Sequence, residues 1–188
     1  MGRRRQVSDR QITQAAREVF LDRGPKAPVA MVAKKLGVST ATLFQRTGSK
    51  QQLMLMALRP EVAVMTGLDR GVRPEESARE QLAHVLSEIN EYLGAVIMGS
   101  LTLRAAHIAA ALPEPTPYRL RKRLAQWLSQ ATEHGLLKVQ DEETTAEVLI
   151  GALEARHIHA HMREERLSAK QHHEFIRSMI GVMFPVHT

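Results

Sequence analysis

The 188-residue chain is expected to be all-α, with an N-terminal three-helix domain followed by a larger helical domain. Three observations predict this. Apolar residues recur at i, i+3, i+4 spacing along most of the chain, aromatic residues make up only 4% of it with β-branched runs scarce, and Gly or Pro closes the periodic segments.

Each N-terminal element follows from local chemistry. Ile12, Ala15, Ala16, Val19 and Phe20 form one apolar face of a helix over 9–22, capped by Ser8 or Asp9 and stopped by Gly24-Pro25. A short helix over 28–36 turns Val29, Val32, Ala33 and Leu36 inward and ends at Gly37. Ser39 is a good N-cap for a third helix of two turns ending near Gly48, and Ser49 opens a fourth that Arg59-Pro60 breaks. The division expected is 1–58, with a disordered basic tail over about 1–7, and 59–188.

Charge separates these two parts. Residues 1–60 carry twelve Lys and Arg against three Asp and Glu, a balance of +9, whereas the remainder of this +6 chain is net acidic. One end therefore suits a polyanion. Three short helices, the second and third joined by a tight glycine turn, form a helix-turn-helix, whose later helix enters the major groove of double-stranded DNA. The alternative for spacing alone is an ordinary helical corner, and the local charge favours the DNA reading.

The run VAMVAKKLGVSTATLFQRTGSKQQL, Val29 to Leu53, resembles the N-terminal signature of TetR-type regulators. The resemblance rests on Val29, Val32, Ala33, Gly37, Val38, Ser39, Thr42, Leu43, Ser49, Lys50 and Leu53, with Ala15, Ala16 and Phe20 ahead of them. It implies a dimeric, ligand-responsive transcriptional regulator, a repressor released from a pseudo-palindromic operator by a small-molecule effector.

Roles follow position by position. Ser39 caps the recognition helix and aims its N-terminus at a phosphate. Thr40, Ala41, Thr42 and Gln45 project outward, Gln45 able to pair with an adenine edge and Thr or Ala with thymine methyls. Leu43 points to the core. Lys50 resembles the family's backbone-clamping lysine, and Arg46 sits where a histidine commonly meets phosphate. Arg3, Arg4 and Arg5 form either a minor-groove arm or a solvated tail. The chain also departs from the pattern: Phe44 replaces a tyrosine and loses its phosphate-reaching hydroxyl, Thr47 replaces a packed phenylalanine, Ala27-Pro28 replaces capping threonines, and Ala41 fills a place often given to glycine.

Beyond Pro60, amphipathic segments are expected over 75–93, 95–111, 118–134, 142–166 and 168–184, with a stiff Pro113, Pro115 and Pro117 connection. Arg119, Arg121, Lys122 and Arg123 read as a solvated face. The effector is expected among residues 75–134, with Tyr92, Met98, Arg104, His107 and Trp127 as lining candidates and Arg104 and His107 as polar anchors. The last two helices are expected to build a four-helix bundle with a second copy, through Leu149, Leu153, His157, Ile176, Met179, Ile180 and Met183.

Other classes have less support. His157 and His161 share an i, i+4 face suited to zinc or nickel, yet with no cysteine and no placed carboxylate the set is incomplete, so no metal or other cofactor is expected. No phosphate loop, nucleophile elbow or framed carboxylate pair points to an enzyme. A helical protein-interaction module with decayed DNA binding is the remaining alternative. The start, MGRRRQVSDR, lacks an apolar stretch behind its charges, and the apolar run from Tyr92 to Leu103 is too short to span a bilayer, so a cytoplasmic protein that makes no membrane contact is expected.

Overall fold

The structure is a computed structural model that describes residues 7–59, 65–108 and 116–185. All regular structure among the described residues is helical: α1 (Asp9–Arg23), α2 (Val29–Leu36), α3 (Thr40–Thr47), α4 (Lys50–Leu58), α5 (Thr66–Arg70), α6 (Ala78–Ala105), α7 (Thr116–Glu133), α8 (Glu142–Met162) and α9 (Ala169–Met183). No helix among them is long and apolar enough to cross a membrane.

The chain divides into two compact units, one of residues 1–61 with 98–112 and one of 62–97 with 113–188. The first unit therefore includes the last turns of α6, whereas the boundary expected at 58/59 places them in the larger domain.

In the first unit Ile12, Ala16 and Phe20 of α1 pack with Val32 of α2, Leu43 of α3 and Leu53, Met54 and Leu58 of α4 into one core that also takes Leu103 and Ile108. Fully burying a side chain of this size contributes roughly 1.5–3 kcal/mol, so this small unit depends on every one of these positions. Its helix starts are built from side-chain caps. Ser8 and Gln11 form a reciprocal capping box on α1, Ser39 Oγ accepts from Thr42 N on α3, and Ser49 Oγ accepts from Gln52 N on α4. Only α2 starts without one, because Pro28 occupies its N-cap. Gly37 supplies the left-handed turn between α2 and α3, with φ 68° and ψ 32°. The α4 end is closed by Arg17, whose guanidinium donates to the carbonyls of Ala57 at 2.7 Å and Arg59 at 3.0 Å.

The second unit centres on Leu82, Leu86, Ile89 and Leu93 of α6, Leu124, Trp127 and Leu128 of α7, and Leu149, Ile150 and Leu153 of α8, with Ile176 and Ile180 of α9 completing it. The two segments expected over 75–93 and 95–111 are one continuous helix as far as Ala105. Gly94 does not break it. A Cβ at Gly94 would lie 2.7 Å from Cε1 of His157, so the glycine is there to let α8 approach. The helix ends instead at His107, which adopts φ 56° while Ile108 N donates back to Leu103 O at 3.0 Å. Residues 109–111, and Pro113 and Pro115 of the expected connection, lie outside the described residues, as do Arg3, Arg4 and Arg5.

Candidate nucleic-acid interface and ligand-domain sites

α3 is divided lengthwise by burial. Leu43 and Thr47 are buried, while Ala41, Phe44 and Gln45 are exposed and Thr40 and Thr42 half-exposed. The helix thus keeps one narrow side in the core and turns the rest to solvent. Thr47, in the place of a packed aromatic, satisfies its hydroxyl by donating to Leu43 O at 2.9 Å, which lets a small polar residue sit at 4% exposure. Phe44, 37% exposed, presents a bare ring.

The flanking cations fall into two kinds. Lys34 at the end of α2 and Lys50 at the start of α4 form no ion pair among the described residues, and Lys50 Nζ stands 6.0 Å from the ring centroid of buried Phe20. Lys35 and Arg46 are engaged inside the unit. Lys35 pairs with Glu18 and holds that carboxyl below its usual range, by hydrogen bonding first and charge second. Arg46 donates to the carbonyl of Val7 and to the carboxylate of Asp9. In place of the expected phosphate contact, the Arg46 guanidinium ties α3 to the chain entering α1.

The candidate effector residues are divided between the two units. Tyr92 and Trp127 are buried in the core of the second unit, at 8% and 2% exposure. Met98, Arg104 and His107 belong to the first unit, where Met98 is half-buried and the other two are exposed. Arg104 and His107 are therefore not polar anchors in an apolar setting, and the left-handed backbone of His107 serves to terminate α6. One feature of the second core went unseen in the sequence. The indole Nε1 of Trp127 is buried and has no hydrogen-bond partner among the described residues, an uncommon state for a buried donor.

Much of the expected dimer stripe likewise faces inward. Leu149, Leu153, Ile176 and Ile180 are at most 4% exposed within the single chain, so they cannot meet a second copy. The strongest apolar periodicity marks the face packed on α6 and α7, which is why the sequence pointed to it. The outward apolar side chains are Val148, Ile158 and Met162 on α8 and Val182 on α9, exposed by 49%, 42%, 74% and 78%. Met179 is half-buried, and Met183 lines a cavity where α7 and α9 end. His157 turns inward: its Nε2 lies 3.0 Å from Asn90 Oδ1, and its ring stacks on His172 at 5.0 Å. No group of three metal-ligating side chains converges among the described residues. Arg121 and Arg123 pair with Glu154 and Asp69, as a structural face would.

Comparison with known proteins fits this geometry. Residues 12–57 match the bacterial regulatory proteins of the tetR family, and residues 75–186 match the C-terminal domain of the AefR-like transcriptional repressors. The chain belongs to the TetR family of transcriptional regulators. The α1–α4 unit is thus the DNA-binding part of a TetR regulator, with α2 and α3 as its helix-turn-helix. Several solved structures share the fold. One comes from work on the molecular basis for control of antibiotic production by bacterial hormones, with 22% identity over 95% of this chain and 99% of that one and a TM-score of 0.67. A TetR regulator from Streptomyces coelicolor has 20% identity over 92% and 95%, with a TM-score of 0.63. SmeT, the repressor of the Stenotrophomonas maltophilia multidrug efflux pump SmeDEF, has 16% identity over 95% and 91%, with a TM-score of 0.62. No curated protein matches the chain by sequence.

Proposed function

We propose that this TetR regulator acts as a repressor that binds a pseudo-palindromic operator as a homodimer and is released by a small molecule. The observation that carries the DNA reading is the outward presentation of Ala41, Phe44 and Gln45 on α3, with Lys34 at the end of α2 and Lys50 at the start of α4 in no ion pair among the described residues. Thr40, Thr42 and Gln45 read base edges, Phe44 and Ala41 contact thymine methyls, and the Ser39-capped helix start and Lys50 hold phosphates. Arg46 orients α3 through Val7 and Asp9 instead of touching the backbone.

Two chains are needed because recognition helices must meet successive major grooves about one DNA turn apart. The exposed Val148, Ile158, Met162 and Val182 on α8 and α9 support a second copy as the partner. For the effector, the indole N–H of Trp127, buried without a partner among the described residues, together with Tyr92 favours a ligand with a hydrogen-bond acceptor in the core of the second unit.

A mobility-shift titration with the promoter region beside its own gene tests the DNA assignments. Lys50→Ala is expected to weaken binding to all duplexes alike and to lower the salt slope by about one unit, and Gln45→Ala to change base preference. Loss of specificity alone in both variants would contradict these roles.

A further inference from the structure

The second unit opens a cavity of about 350 Å³ where α6 begins and α7 and α9 end, lined by the cations Arg79 and Lys138 and by Leu137, Met183 and Phe184 among others. We propose that it binds a small amphipathic anion, its carboxylate between Arg79 and Lys138 and its aliphatic tail on Leu137, Met183 and Phe184.

The cations lack another explanation. Arg79 is half-buried and forms no hydrogen bond or ion pair among the described residues. It is the second residue of α6, where the positive end of the helix dipole disfavours a cation. Two of the acids near it in sequence are committed elsewhere: both oxygens of Glu80 accept from Arg177, at 2.9 and 2.6 Å, and Glu76 accepts from Arg73 at 2.5 Å. Lys138 is exposed and forms no hydrogen bond or ion pair among the described residues. Nor do the carbonyls at the end of α7 require these charges, since Gln130, Ala131 and Thr132 accept from the backbone of His134, Leu136 and Gly135.

The apolar side of the cavity is preformed, because Leu137 and Phe184 are already fixed in the core at 7% exposure. Two cations beside an apolar floor favour a ligand with both a charge and a tail. The volume lies near the lower end of small-molecule pockets, roughly 300–1,000 Å³, and so suits a medium-chain acid better than a nucleotide.

The test uses the full chain without DNA, so it is independent of operator binding and effector release. Isothermal titration with sodium octanoate is expected to show saturable binding of one molecule per chain. Arg79→Gln/Lys138→Gln should bind at least tenfold more weakly, a loss of about 1.4 kcal/mol, with its thermal melt in the absence of octanoate unchanged. Octanol, which lacks the charge, and sulfate, which lacks the tail, should each bind more weakly than octanoate. The two single variants carry the comparison if the double variant melts early. No saturation below about 10 mM octanoate, equal binding by octanol, or equal binding by every cation variant would overturn the proposal.

Discussion

In the proposed function Arg46 acts from α3 without facing the nucleic acid. Its guanidinium reaches back to Val7 and Asp9 and couples the orientation of α3 to the start of α1. Asp9 is largely exposed, so the pair itself is worth little to stability, on the order of 0.2–1 kcal/mol. Its effect on DNA affinity distinguishes orientation from contact. Arg46→Ala and Asp9→Asn are expected to weaken operator binding by similar factors, the double variant no more than either, with the salt slope unchanged. Binding that strengthens in Asp9→Asn, with a slope lower by about one unit in Arg46→Ala, would mean that Arg46 touches phosphate.

A second residue-scale effect concerns pH. Burial pushes the His157 imidazole below its usual value of 6.5, the backbone hydrogen bond with Asn90 partly opposes this, and Arg156 adds to the depression. His172 is lowered by burial first, then by His157 and Arg156. A depressed histidine means that the unfolded chain binds the proton more readily, so stability rises with pH across the transition. The contribution is complete above about pH 6.5 and is lost as the pH falls through the folded-state values. The melting temperature should therefore drop on acidification below pH 6.5, and His172→Gln should flatten that dependence. A pH profile identical in the two proteins would show that the stacked pair does not govern it.

At the scale of elements, the N-terminal helices were legible because each carries its own punctuation. Ser8, Ser39 and Ser49 cap, Gly37 turns, and Leu43 and Leu53 hold the inward spacing, so these elements end where the sequence says they do. The larger unit was less legible because its decisive features are contacts between distant residues. Gly94 reads locally as a break and serves in fact as a space for His157. The Leu149, Leu153, Ile176 and Ile180 stripe reads as a surface for a partner because periodicity reveals that a face is apolar, not what covers it. The short α5 carries too few residues to show a period, and it is fixed by Glu88 of α6, which accepts from Gly67 N at 2.9 Å and from the Thr66 hydroxyl at 2.5 Å. Gly99 gives the element-scale prediction. A Cβ there would lie 2.5 Å from the carbonyl oxygen of Leu58, a backbone atom at the end of α4 that cannot swing aside. Gly99→Ala should destabilise the protein by about 1–3 kcal/mol, read as a lower denaturant midpoint. An unchanged midpoint would mean that α6 and α4 separate freely.

For the whole molecule, the proposed operator binding and effector release require two chains and two states. A dimer formed through the outward apolar residues of α8 and α9 would fix the spacing of two α3 helices, and an effector changes occupancy only to the extent that it binds one state more tightly. The most direct measurement is selection of bound duplexes from a random pool by the wild-type protein at low ionic strength, followed by sequencing. Enrichment of inverted repeats with half-sites about one turn apart is expected, and it should disappear in Val148→Glu/Val182→Glu, which places charge on the exposed apolar face. Failure of the wild-type protein to retain any duplex, or retention with no sequence enriched, would contradict a base-reading role for the exposed side of α3.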